Sequence, residues 1–172
     1  MSFPSPPSGS SRRSPAYPAP TYHGETGEVS AILRPAGAAP ELSRPATHTS
    51  YLATNRSTNG QFGLYRVDFT GPPTGPDPHF HRTMSESFFV LSGTVRLYDG
   101  ERWIDGNPGD FLFVPEGGIH GFKNESGEPA SMLLLFAPGA DREAYFEGVS
   151  AVAEMSEEER LEFFLRHDNH WV

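Results

Sequence analysis

An antiparallel β-barrel or jelly roll is the fold class this sequence predicts, on three observations. Short runs of strand-forming residues follow one another closely from Thr47 to Phe136. Turn signals separate them, drawn from 18 glycines and 17 prolines. No helical period interrupts the series until after Pro138-Gly139. Strands this short, without crossover helices, close most economically as an antiparallel barrel or double sheet.

Residues 1–20 are dominated by Pro and Ser and carry almost no aliphatic side chains, so they bury too little to offset their ordering entropy. A disordered tail over 1–28 is expected, then an arm over 29–45 that lies on the barrel or on a partner subunit. Ser50 to Thr54 reads as a strand, and Asn59-Gly60 as a tight hairpin turn, because both residues tolerate positive φ. Gln61 to Thr70 follows, with Tyr65, Val67 and Phe69 on one face and Phe62 and Leu64 on the other. A Gly/Pro loop from Gly71 to Pro78 leads into a strand at His79. Further strands are expected at 87–91, 94–98, 102–104, 110–114 and 119–122, and an apolar, central one at 130–136. The barrel thus spans 46–139.

Beyond Gly139 the period becomes helical. Tyr145, Val149 and Val152 share one face with Phe146 beside them, and Asp141 is an N-cap candidate. Ser156 followed by Glu159 is a capping-box signature for a second helix carrying Leu161, Phe164 and Leu165. Residues 140–172 are therefore two C-terminal α-helices that bury an apolar face on the barrel or on another subunit.

Charge and composition exclude several function classes. A net charge of −9 argues against a nucleic-acid partner and an anionic membrane surface. No apolar run approaches the length of a membrane span. Arg12-Arg13 is followed by a Pro-rich stretch instead of an apolar one, which speaks against a twin-arginine export signal. With no cysteine, a Cys-based structural zinc site is excluded and a cytoplasmic location is compatible.

The chemistry concentrates in two motifs. His79 and His81 lie one residue apart, so on a strand both imidazoles point to one face. Glu86 follows five residues later, and His120 sits within Gly109-x5-Pro115-x-Gly117-x2-His120-x3-Asn124. Three imidazoles and a carboxylate form a ligand set suited to one divalent Fe, Mn, Co, Ni or Zn ion, with open positions characteristic of a catalytic centre. His23, His48, His167 and His170 lack such a pattern and are expected to be ordinary structural or surface residues.

These motifs resemble those of the cupin superfamily, whose first pattern is G-x5-H-x-H-x3,4-E-x6-G and whose second is complete here. The first has His79, His81, Glu86 and Gly93 in place, while Pro73 stands where its leading glycine belongs, flanked by Gly71 and Gly75. The resemblance implies a cupin barrel and metal ligation by His79, His81, Glu86 and His120. The texture around Pro78–His81, Ser85–Gly93 and Ala137–Gly139 is similar to small single-domain bacterial cupins described as quercetin 2,3-dioxygenase-like. That resemblance implies an oxidoreductase that takes a flavonol-like or enolic substrate and dioxygen, with Glu86 serving as ligand and as catalytic base. A non-oxidative metal enzyme (polyketide cyclase, isomerase or lyase) and a small-molecule-binding cupin without turnover are the alternatives. Arg and Lys are scarce near the motifs (Arg82, Arg96, Lys123), which favours a planar aromatic or hydrophobic substrate over a phosphorylated sugar. Phe88, Phe89, Phe111, Phe113 and Phe122 are the candidates for lining its pocket. A homodimer is compatible with all of these readings.

Overall fold

Alternating burial organises the described residues, 17–172, of this computed structural model. Residues 1–16, and with them much of the expected tail, lie outside the described residues. The chain divides into two units after Leu33. Residues 17–33 contain no helix or strand, and Val29 and Ile32 are exposed.

The second unit, from Arg34, carries eleven strands and two α-helices. The strands are β1 (Leu42–Ser43), β2 (Thr47–Ala53), β3 (Gly63–Phe69), β4 (His79–Phe80), β5 (Ser85–Ser92) and β6 (Val95–Tyr98). They continue as β7 (Trp103–Gly106), β8 (Phe111–Val114), β9 (Gly121–Lys123), β10 (Ala130–Ala137) and β11 (His170–Trp171). Three antiparallel sheets result: a six-stranded one in the order β1-β2-β3-β10-β5-β8, a three-stranded one in the order β7-β6-β9, and the pair β11-β4. As the apolar run 130–136 predicts, β10 is central, paired with β3 on one side and β5 on the other.

Every second residue of β3 is buried, so Tyr65, Val67 and Phe69 face inward as the sequence pattern requires. They meet Phe88 and Val90 of β5, Val95 and Leu97 of β6, and Met132, Leu134 and Phe136 of β10 in one continuous core. A buried side chain of this size contributes about 1.5–3 kcal/mol relative to exposure, so this double layer is the framework that holds the site.

Several local expectations change. Residues 54–62, not a two-residue hairpin, join β2 to β3: Asn59 and Gly60 do take positive φ, of 52° and 79°. The Thr54, Ser57 and Thr58 hydroxyls, however, bond to nearby backbone and hold a longer loop. The first helix, α1 (Arg142–Gly148), is capped by Asp141 as expected but stops at Gly148, where the Phe163 ring lies against the backbone. Val149 and Val152 therefore fall in a 3-10 segment, Val149–Glu154. The second helix, α2 (Glu157–Arg166), has the full capping box of Ser156 and Glu159. Its buried residue is Phe163, stacked on Tyr145 at 5.8 Å, whereas Leu161 and Leu165 are 59% and 49% exposed. Phe89, Phe111 and Phe113 prove to be on the outer, exposed face of β5 and β8, and Phe88 and Phe122 point inward. Strand parity decides this: residue 88 and residues 89, 111 and 113 lie on opposite sides of one sheet. No local signal announced β11, a two-residue strand that reaches back to β4. No helix among the described residues is long and apolar enough to cross a membrane.

Candidate metal centre

The two histidine motifs meet because the loop before β4 runs antiparallel to the segment around β9. Thr74 pairs with Asn124 and His79 with His120 through reciprocal backbone hydrogen bonds of 2.8–3.1 Å. Gly75 makes that approach feasible. A Cβ there would lie 2.0 Å from the Phe122 carbonyl oxygen, and its φ of 140° suits glycine. The displaced glycine of the first motif thus has a physical task. Asn124, fully buried, ends the second motif by accepting from Ser126 and donating to the Glu128 carbonyl at 2.8 Å.

His79, His81, Glu86 and His120, all buried, each offer one ligand atom, and these atoms lie within 4.8 Å of one another. Sequence spacing and structure agree on the group. Phe80, between the two histidines, points away and stacks on His170 at 5.0 Å. His48, His167 and His170 stand outside the group, as does His23 in the other unit.

Each imidazole is oriented from behind. His79 Nδ1 lies 2.9 Å from the Asp77 carbonyl, His81 Nδ1 2.6 Å from that of Asp168, and His120 Nδ1 2.9 Å from that of Gly118. A carbonyl only accepts, so all three Nδ1 atoms carry the proton and each Nε2 turns a lone pair toward the centre. His81 Nε2 and His120 Nε2 lie 3.0 and 2.8 Å from the same Glu86 Oε2. Lone pairs facing a carboxylate at that distance need a cation between them, either a proton or a metal ion. Ligands held at about 2.1 Å and roughly a right angle from one ion would be about 3.0 Å apart, so the donor set fits a divalent transition metal.

Electrostatics without an ion follow the same logic. Burial pulls the His79 imidazole down to about 3, helped by the neighbouring His120. Burial acts on His120 too, but its hydrogen bond to Glu86 wins and raises it. Burial alone would raise Glu86; the hydrogen bonds from His120 and His81 hold its carboxyl well below the usual range. Glu86 is thus ionised at neutral pH.

Beside the four residues opens a cavity of about 320 Å³, lined by His79 and Glu86 together with Phe122, Leu134, Phe136 and Trp171 among others. The Trp171 ring lies 5.1 Å from that of His79. Sequence reasoning missed the contribution of the C-terminal segment. Asp168 does more than support His81 through its carbonyl. Its carboxylate accepts from the backbone N–H groups of Arg82 and Thr83 and from the Thr83 hydroxyl, and these bonds keep it ionised below its ordinary range against its own burial. Arg142, from α1, also reaches the cavity wall, buried to 3% exposure. The scarcity of cations near the motifs therefore does not hold in space. No pattern around Arg142 or Asp168 could have revealed this, because their partners lie 25 to 87 residues away.

A cupin-domain family model matches residues 68–136, a span that contains all four clustered residues. The quercetin 2,3-dioxygenase of Bacillus subtilis (strain 168) is 32% identical over 89 residues, which are 51% of this chain and 26% of that enzyme. The chain spans between about a quarter and just over half of the curated relatives it matches. Among solved structures, a "predicted oxalate decarboxylase" from Thermotoga maritima superposes with a TM-score of 0.55 at 16% identity, covering 63% of this chain and 99% of that one. KdgF from Halomonas sp. gives 0.51 at 20% identity, with 60% and 88% covered. Likeness at these identities speaks to the fold alone.

Proposed function

We propose that this chain, a member of the cupin superfamily, is a metal-dependent dioxygenase acting on a small enolic or flavonol-like substrate. The observation that carries the reading is the convergence of three Nε2 lone pairs and the Glu86 carboxylate at the wall of a largely apolar cavity. His79, His81, Glu86 and His120 would hold the ion. When bound, a divalent Fe, Ni, Mn, Co or Zn ion would polarise an enol or keto oxygen of the substrate and, where redox-active, would mediate electron transfer from the substrate to dioxygen.

The chain's own residues do the rest. Phe122, Leu134, Phe136 and Trp171 give the cavity an apolar wall that would exclude water and suit a planar substrate. Glu86 is ionised and hydrogen-bonded on one oxygen, Oε2, so it can accept a proton from a substrate hydroxyl placed against it. The three backbone carbonyls behind the imidazoles keep them from rotating as charge moves at the centre. The relation to the Bacillus enzyme supports the choice of substrate class.

The test combines elemental analysis of the purified chain with a flavonol and enol panel assayed with and without dioxygen. The expected result is about one transition metal per chain and turnover that stops without dioxygen and consumes it stoichiometrically. Turnover under anaerobic conditions would replace the proposal by Lewis-acid chemistry of the isomerase, lyase or cyclase kind. A fully metal-loaded chain that turns over no substrate would reduce it to a binding protein.

A further inference from the structure

The cavity wall contains a buried cation with no direct ion-pair partner, acted on by Glu86 only from a distance. Arg142 is 3% exposed, and among the described residues no carboxylate forms an ion pair with it. Its guanidinium is sandwiched by aromatic rings, 4.2 Å from the Tyr145 centroid, 4.9 Å from Phe136 and 5.7 Å from Phe146. One nitrogen, Nη1, is used structurally: it donates to the His167 carbonyl at 2.7 Å and to Asn169 Oδ1 at 3.0 Å. The remaining donors are not. Arg142 Nε and Asn169 Nδ2 are both buried and both lack an acceptor. Arg142 and Asn169 line the same cavity as Glu86 and His79.

An arginine needed only to tie α1 to the C-terminal segment would not require a partnerless donor on each of two bonded side chains. Buried donors are almost always satisfied, and a buried charge is almost always paired. The missing partner is therefore an anionic oxygen supplied from the cavity. Arg142 also borders a hollow on its other side, lined by Asp141 and Asp168, but Asn169 lines the main cavity only, so the two side chains come together there.

We propose that Arg142 and Asn169 form a carboxylate-binding subsite beside the four-residue centre, so that the substrate is a small enolic or aromatic acid. It rests on the reading of this cavity as the substrate site, and within that reading it selects enolic or aromatic compounds that bear a carboxylate over flavonols, which bear none. A carboxylate matches a guanidinium edge with two parallel hydrogen bonds and leaves an oxygen lone pair for the amide. A phosphate dianion fits less well, because one guanidinium and one amide leave most of its acceptors unsatisfied. The apolar walls, with Phe122, Phe146 and Trp171, take the ring or chain that bears the acid.

The test is calorimetric binding of benzoate and of its neutral isostere benzamide to the full chain, both as purified and after chelator treatment. Chelation removes direct coordination of benzoate to a metal, so preference in the stripped chain reports the protein subsite. Benzoate is expected to bind at least about tenfold more tightly than benzamide, the scale of one charged hydrogen-bonded pair. Asn169→Asp should cut the preference to within about twofold, because the new carboxylate pairs internally with Arg142; that pairing also favours folding. Arg142→Gln should do the same, with circular dichroism confirming that either variant is folded. Equal binding of the two probes by the parent chain overturns the subsite, as does a preference that survives in a folded variant. The two proposals fail separately. A chain that binds no metal yet prefers benzoate keeps the subsite and removes the metal-enzyme reading. A metal-loaded chain that binds both probes alike does the reverse.

Discussion

The stretch from His79 to Asn124 and the stretch from Arg142 to Trp171 both build the same cavity, by different means. In the first, the functional residues sit at fixed intervals set by strand geometry, and their partners are the two halves of one antiparallel pairing. In the second, a helix, a 3-10 segment, another helix and a two-residue strand place Arg142, Asp168, Asn169 and Trp171 against that centre. Labour is divided between them: the periodic region carries the four clustered donor groups, while the aperiodic region orients one of them, walls the cavity and supplies its cation.

The comparison breaks most visibly if the periodic region is not the source of metal affinity. His79→Ala and His120→Ala should each remove most of the bound metal from a chain whose circular dichroism still shows the folded sheets. Unchanged metal content in both variants, measured by elemental analysis, would end the ligand assignment. Next in size is Glu86→Gln, which keeps the shape of the side chain but cannot take up a proton. Turnover per bound metal should fall by a factor on the order of 10²–10⁴, the usual loss with a general base. Full activity per metal would mean that Glu86 is a ligand only.

The aperiodic region predicts a smaller effect. Asp168→Ala removes the carboxylate that holds Arg82 and Thr83, and so loosens the carbonyl behind His81. Metal affinity should weaken by about 10- to 100-fold, as is usual when a group supporting a ligand is lost. An unchanged dissociation constant in a competition titration would confine the C-terminal segment to the cavity wall.

A separate effect, confined to the metal-free chain in acid, concerns pH. His79 is held neutral by burial, with its folded value at about 3 against an ordinary 6.5. Between those values the unfolded chain binds the proton and the folded chain does not, so stability of the metal-free chain falls as pH drops from about 6.5 toward 3. The slope contributed by one such group is at most about 1.4 kcal/mol per pH unit. His79→Gln should flatten the denaturant midpoint over that window; an equally steep profile would place the acid sensitivity elsewhere.

Much of this fold was legible before any coordinates. Tyr65, Val67 and Phe69 alternate as a half-buried strand must, the run 130–136 is apolar on both faces as a central strand requires, and Asp141 and Ser156 announce helix starts. What failed was choice between faces and partners. Phe89, Phe111 and Phe113 are as apolar as Phe88 and Phe122, and composition alone cannot say which side of a sheet is covered. Leu161 and Leu165 fit a helical stripe, but Phe163 wins burial because Tyr145 and His167 pack against it.

The candidate centre divides along the same line. Spacing put His79 and His81 on one face, and the motif pair that resembles the cupin pattern added Glu86 and His120, whereas the antiparallel pairing that sets His120 opposite His79 is a long-range contact. Packing alone set Asp168 behind His81, laid Trp171 beside His79, and brought Arg142 and Asn169, with their unpaired donors, to the cavity wall. Range explains the contrast. Backbone periodicity acts over a few residues and leaves a repeating signature, whereas a contact across 87 residues is made by packing and chain closure and leaves no local pattern to read.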